Sequence, residues 1–534
     1  MSNQAESYVF EDATDKKTNP KAFISEKYYL DINDQNNKNY KNQQLIFDCP
    51  SLSIQDGYVS LAESILRIPM QTTISSNKDL ITTYKENLVS LKGNATSLID
   101  SIQIMLDNKV LKTFSSHSEV PCYFKLLSSM TKDYEQTVAK GDLNHSLDDG
   151  VMSYDDKIGE KMTSNNAIQK KADSLVLLTD TAFQKSKNII NKFKSHCKVE
   201  STKMYTYNYL VEIPLKFMDE LFEKIPLAKG LYLKMHLQLH TGSCSFTSTG
   251  KVITAVSSNT TYGVLPHYIN PSALGETNGV LAGADAGIVT IDTQVLRNSL
   301  SGKDNPLLGT CQLHAAVYKF TNDKAQVLSN RPRVKIDYNQ QMYQTYKNAE
   351  PGQQFNFQIS SSTSRSSFLL IHTRLSDKIN MSDAASDATF KDGNTAGAIS
   401  TMNSPFTPSP FTTKAYSSLT NFQINLSGTP MFTRGALSFD YDIYNDNFKS
   451  FNSANGQLDV SDSSGVISRE QWEKNYGFIV VDLRKYELYA NWLQPKNISV
   501  SGYNNSPNFV DYMFFLMEEK DITLDVETGK IVVE

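Results

Sequence analysis

The eleven residues from Gly230 to His240 constrain the fold more than any other stretch. Leu231, Leu233, Met235, Leu237 and Leu239 alternate with Tyr232, Lys234, His236, Gln238 and His240. A period of two predicts a β-strand with one face buried and the other in polar surroundings. The strand closes a block that begins at Tyr205. Within it, Pro214 precedes and Pro226 ends a short amphipathic helix, with Phe217, Leu221, Phe222 and Ile225 at helical spacing. One short helix between two long strands points to a β-sandwich.

The rest of the chain agrees with that class. β-branched and aromatic runs bounded by Asn, Asp, Ser and Gly predict strands at Gln44–Asp48, Tyr58–Met70, Gly287–Thr293, Cys311–Phe320, Val334–Asp337, Phe355–Ser360 and Ser367–Thr373. Further strands are expected at Phe422–Leu426, Ala436–Tyr444, Phe478–Asp482, Asn497–Tyr503 and Val510–Met517, with a closing hairpin that turns at Thr528 and Gly529. Asp107 and Asn108 mark a hairpin turn inside Ile102–Phe114. Helices are expected near Thr83–Leu91, from a Ser118 cap to about Val138, and in a mixed stretch at 167–196. The polar segments 144–166, 377–415 and 447–468 read as surface loops. The fold class is all-β: two tandem β-sandwiches, 26–328 and 329–534, preceded by a flexible arm at 1–25.

Composition narrows the function. The net charge is −5 and no basic run stands at either end, so strong direct binding of nucleic acid is not expected. Cys49, Cys122, Cys197, Cys244 and Cys311 are scattered, odd in number and without a CxxC pair, which reads as reduced thiols. The polar, acidic opening is not a signal peptide, and no apolar run approaches the roughly 18 residues of a membrane span. Sequons at Asn94 and Asn425 are therefore expected to carry no glycan.

Candidate chemistry is sparse. Asp440 and Asp442 share one strand face, about 6.5–7 Å apart, a spacing within the range of a glycosidase pair, but such pairs are routine on sandwich surfaces and a solvated strand face is the favoured reading. His236 and His240 share the polar face of their strand and Cys244 follows, but a zinc site needs further ligands, and the neighbours His196 and Cys197 have no reason to be close. Asp440 to Asn447 lacks the spacing and glycine of a calcium loop. Trp472 and Trp492 suit sugar stacking or, more simply, a core. No nucleophile elbow, P-loop or dinucleotide fingerprint is present. The expectation is no enzyme, no catalytic residue, no cofactor and no metal. The rival readings are a secreted adhesin or carbohydrate-binding protein, which would want an export signal and disulfides, and a glycoside-active enzyme using Asp440 and Asp442.

Three stretches carry a family resemblance. Tyr29–Met70 contains Asn33-Asp34-Gln35-Asn36, then Tyr40, Phe47-Asp48, and a strand from Glu63 to Pro69. Glu212–Leu239 and the ending Val510–Ile531 add a strand–helix–strand block and a Thr-Leu-Asp-Val run followed by Thr-Gly. Together they resemble the major capsid proteins of polinton-like viruses and virophages, the adintovirus-like lineage. The resemblance implies a double jelly roll: two upright eight-stranded sandwiches. It implies homotrimers that form pseudo-hexameric capsomers, neighbouring capsomers and a separate penton protein as partners, and an icosahedral shell around a dsDNA genome. Some relatives carry a cleaved C-terminal extension; none is expected here.

Overall fold

The computed structural model describes residues 24–36, 40, 44–77, 89–91, 95–129, 197–201, 203–249, 252–260, 267–269, 287–295, 310–321, 333–375, 419–432, 435–437, 478–486, 494–505 and 509–532. Four antiparallel sheets form two sandwiches.

In the first half, an eight-stranded sheet runs β1 (Ile24–Asn33), β14 (Gln312–Phe320), β3 (Tyr58–Ser76), β13 (Gly287–Val295), β10 (Gly242–Thr249) and β11 (Val252–Thr260). On it, β8 (Met204–Pro214) pairs with β3, and β7 (Cys197–Ser201) with β8. The length of β3 makes this arrangement possible. It meets β14 along 58–67, β13 along 70–76 and β8 along 65–75. The facing sheet is β2 (Gln44–Cys49), β9 (Leu233–Leu239), β5 (Ile99–Leu106) and β6 (Lys109–Lys112). Strand β9 is central: Leu237 lies opposite Leu45 on one side and Ile102 on the other. Its apolar stripe is buried, as the alternation predicts, and packs on Leu66, Ile68, Val211, Ile213 and Leu313. Both Asp107 and Asn108 have positive φ, the conformation a two-residue primed turn requires, and they join β5 to β6.

In the second half, β15 (Arg333–Ala349), β22 (Val510–Asp525), β17 (Ser366–Leu375) and β20 (Ile479–Asp482) form one sheet, with β23 (Ile531–Val532) on β22. The opposite sheet is β16 (Gln354–Thr363), β21 (Lys496–Asn504), β18 (Leu419–Leu426) and β19 (Thr429–Pro430). Every residue from Val510 to Leu516 is buried, so both faces of β22 are covered there. Aromatic stacks bridge the layers, Phe355 on Tyr512 at 4.6 Å and Phe357 on Phe514 at 5.4 Å between centroids.

Several expectations are corrected. Residues 89–91 of the expected helix near Thr83–Leu91 form strand β4 (Val89–Leu91), paired with β12 (His267–Ile269). The expected helix over 217–225 is two turns, α3 (Leu215–Met218) and α4 (Leu221–Lys224), because Asp219 between them is extended. The helix after Ser118, α2 (Glu119–Ser129), begins where expected; its proposed continuation to 138 lies outside the described residues. A further turn, α1 (Pro50–Ser53), precedes β3. Strand β15 runs well past its expected end, and β22 joins into one strand the two expected at Val510–Met517 and Ile522–Val526. The expected arm at 1–25 is corrected at its end, because Ile24 and Ser25 already belong to β1; its residues 1–23, the loops at 144–166, 377–415 and 447–468, the stretch 167–196 and most of Ala436–Tyr444 lie outside the described residues.

Candidate functional site: the seam between the sandwiches

Each core is completed by elements from the other half. Leu524 and Val526, at the end of β22 and just beyond it, and Ile531 on β23 belong to the first core, with Ile336 and Tyr338 of β15. Conversely, Val120, Tyr123, Phe124 and Leu127 of α2 belong to the second core. Helix α2 also lies beside the ring of Phe478, 5.5 Å from that of Phe124.

Polar contacts fix this exchange. The Lys229 amide donates to Val526 O at 2.7 Å, and the Tyr58 hydroxyl donates to Glu527 Oε1 at 2.6 Å. Lys109 Nζ donates to Ile531 O at 3.0 Å, and the Ile531 amide to Asp107 Oδ2 at 3.3 Å. Gly230 and Gly529 sit back to back, both with positive φ. A Cβ on Gly230 would lie 2.5 Å from Thr528 O, so the two turns approach this closely only because both residues are glycine. On the other side, Gln340 and Gln341 of β15 donate to Thr113 Oγ1 and Ser115 Oγ, each at 3.1 Å.

A buried ion pair anchors the centre. Lys112 of β6 pairs with Asp219, both side chains almost wholly buried. Burial favours the neutral amine, but Asp219 and Glu220 outweigh it and hold the Lys112 pKa above its ordinary value. Glu220 accepts the Asn339 amide at 2.6 Å and Lys224 Nζ at 3.3 Å. Burial pushes its carboxyl up, yet Lys224, Lys112 and Lys125 bring it below the usual range. The break between α3 and α4 is what turns Asp219 toward Lys112, and Asp219 Oδ1 also accepts the Leu221 amide at 2.8 Å.

Among the residues singled out for chemistry, His236 is half-buried on the polar face of β9, as expected. His240 is fully buried instead. Strand β9 ends at Leu239, the alternation stops, and Leu239, His240 and Thr241 are buried in succession. The His240 ring meets Asp100 of β5 and Glu119 of α2, with Nε2 3.7 Å from Asp100 Oδ1 and 3.4 Å from Glu119 Oε2. All three residues are buried. His117 supports them: its amide donates to Asp100 Oδ1 at 3.1 Å, and its Nδ1 lies 3.1 Å from Glu119 Oε1. Burial raises the Asp100 pKa, with Glu119 adding to it. Burial also acts upward on Glu119, but His240 and His117 bring it down to about 2. Neither Asp100 nor Glu119 stands out in the sequence, because only the tertiary fold brings β5, α2 and the end of β9 together. The side chain of Cys244, and Asp440, Asp442, His196, Trp472 and Trp492, lie outside the described residues. No described helix is long and apolar enough to cross a membrane.

No family model and no curated protein matches the sequence. Solved structures do. A chain of the Sputnik virophage matches with a TM-score of 0.53 at 10% identity, covering 96% of this chain and 89% of that one. The mavirus major capsid protein is 12% identical, with a TM-score of 0.43 and coverage of 98% and 94%. The Faustovirus major capsid protein is 10% identical, with a TM-score of 0.42 and coverage of 97% of both chains. Two antiparallel sandwiches in tandem, matching the Sputnik chain over nearly their whole length, make this chain a double jelly roll.

Proposed function

We propose that this chain is the major capsid protein of a virophage-like or polinton-like virus. The observation that carries the reading is the double jelly roll, similar over 96% of the chain to a chain of the Sputnik virophage. Its place is the virion, and its role is structural rather than catalytic. Three copies form a pseudo-hexameric capsomer from six sandwiches, and capsomers with a separate penton protein close an icosahedral shell around dsDNA. The division into an arm at 1–23 and sandwiches at 24–328 and 329–534 belongs to this reading. The hairpin and α2 then act as cross-ties rather than as parts of a separate domain. The interlocked seam suits a tile that must keep its shape under load. The eight-stranded sheet also leaves Tyr29, Leu210 and Ile288 exposed, apolar surface that association would cover.

Light scattering at micromolar concentration and neutral pH is expected to give about 180 kDa, three times the 59.8 kDa chain. Negatively stained particles of that species should show a near-hexagonal outline. A monomer throughout, or a dimer without that outline, overturns the proposal.

A further inference from the structure

We infer that Asp100, Glu119 and His240 form a buried binding site for one divalent transition-metal cation of the zinc class. The inference rests on geometry within one chain and holds whatever that chain assembles into. One ligand atom from each residue lies within 4.8 Å of the others, and all three residues are buried. Two carboxylate oxygens and one imidazole nitrogen are a donor set suited to zinc and manganese.

The spacing separates a metal site from a plain ion pair. A charge-assisted hydrogen bond between imidazolium and carboxylate would bring N and O to about 2.7–2.9 Å. The observed separations, 3.4 Å to Glu119 and 3.7 Å to Asp100, are too long for that. Two ligands at about 2.0–2.2 Å from one tetrahedral ion stand about 3.3–3.6 Å apart; the Glu119 contact at 3.4 Å falls in that range, and the Asp100 contact at 3.7 Å needs to close by only about 0.1 Å to reach it.

Charge points the same way. Among the described residues, no lysine or arginine pairs with either carboxylate; histidines and a backbone amide are their partners. Asp100 Oδ2 is fully buried and accepts no hydrogen bond. Two buried carboxylates without a lysine or arginine partner are costly, and a divalent cation between them neutralises both. His117 supplies the outer layer by holding Glu119 Oε1 and Asp100 Oδ1, as residues behind metal ligands do. A water completes the fourth position. The ion would tie β5 and the end of β9, in the first sandwich, to α2, whose other residues sit in the second core.

The test uses the full chain. Purified protein is measured by elemental analysis after gel filtration, then stripped with EDTA and titrated with zinc or manganese while thermal unfolding is followed. The expected result is one metal equivalent per chain, a lower melting temperature after stripping, and a recovery of about 2–4 °C on adding zinc at a large excess over Kd. Asp100→Asn and His240→Gln should lose the metal and the response together. Wild-type protein without stoichiometric metal and without a thermal response to either ion overturns the inference. So does metal retained equally by both variants. If neither variant folds, the wild-type stripping and titration decide the matter by themselves.

Discussion

Leu237 shows how much can hang on one side chain. It lies 1% exposed on the central strand of its sheet, between Leu45 and Ile102. Leu237→Asp places an unpaired carboxylate there at a cost of several kcal/mol, comparable with a whole domain's margin. Soluble protein should largely disappear, read as recovery after gel filtration; normal yield would mean that this face of β9 is not core. Lys112→Ala leaves Asp219 buried without its partner and should destabilise by about 3–5 kcal/mol in a denaturant melt. Two thiols offer a gentler probe. Cys49 is buried and its thiol is pushed up to about 12 by burial and then by Asp48. Cys311 is shifted upward for the same first reason. Both should resist iodoacetamide in the native state at mildly alkaline pH and react once unfolded, as peptide mapping would show. The histidines teach a different lesson. His236 and His240 are four apart and look equivalent in sequence, yet β9 ends at Leu239, and His236 stays half-buried while His240 is buried against a carboxylate pair. Replacing both is therefore not the neutral change that the alternation suggests.

Elements were legible where a local pattern and the tertiary environment agree. Strand β9 and the turn at Asp107 and Asn108 are of this kind, because period and turn chemistry are short-range signals. Side-chain pattern alone makes β15 too short and splits β22 in two. Beyond Asp337 and Met517 the residues are polar or mixed, yet Asn339 to Tyr346 still pair with Tyr512 to Glu519, so backbone pairing rather than side-chain pattern extends both strands. Apolar spacing makes the helix over 217–225 look continuous because it ignores Asp219, whose buried partner is about a hundred residues away in sequence. The seam was invisible for the same reason: nothing near Gly230 announces that Gly529 will lie against it. Gly230→Ala meets both a positive φ and the Thr528 carbonyl, and should cost about 2–5 kcal/mol while leaving each half's secondary structure intact by circular dichroism. A melting temperature within a degree of the parent would show that the two turns can part freely.

At the scale of the whole molecule, exchange of elements between the cores makes the two sandwiches one cooperative unit, so a single unfolding transition is expected by calorimetry. A chain ending at Asp521 would lack Leu524, Val526 and Ile531, and its first core would stand open; it should be recovered mainly in the insoluble fraction. Equal solubility of the shortened chain would show the hairpin to be ornamental. The hairpin also sets a clock. Tyr58 and its partner Glu527 are 469 residues apart. At synthesis rates of about 5–20 residues per second, roughly 25–95 s separate their emergence. Throughout that interval the nascent first sandwich waits with an unsealed edge, so a cell making much of this protein must shield each growing chain until its last strands leave the ribosome.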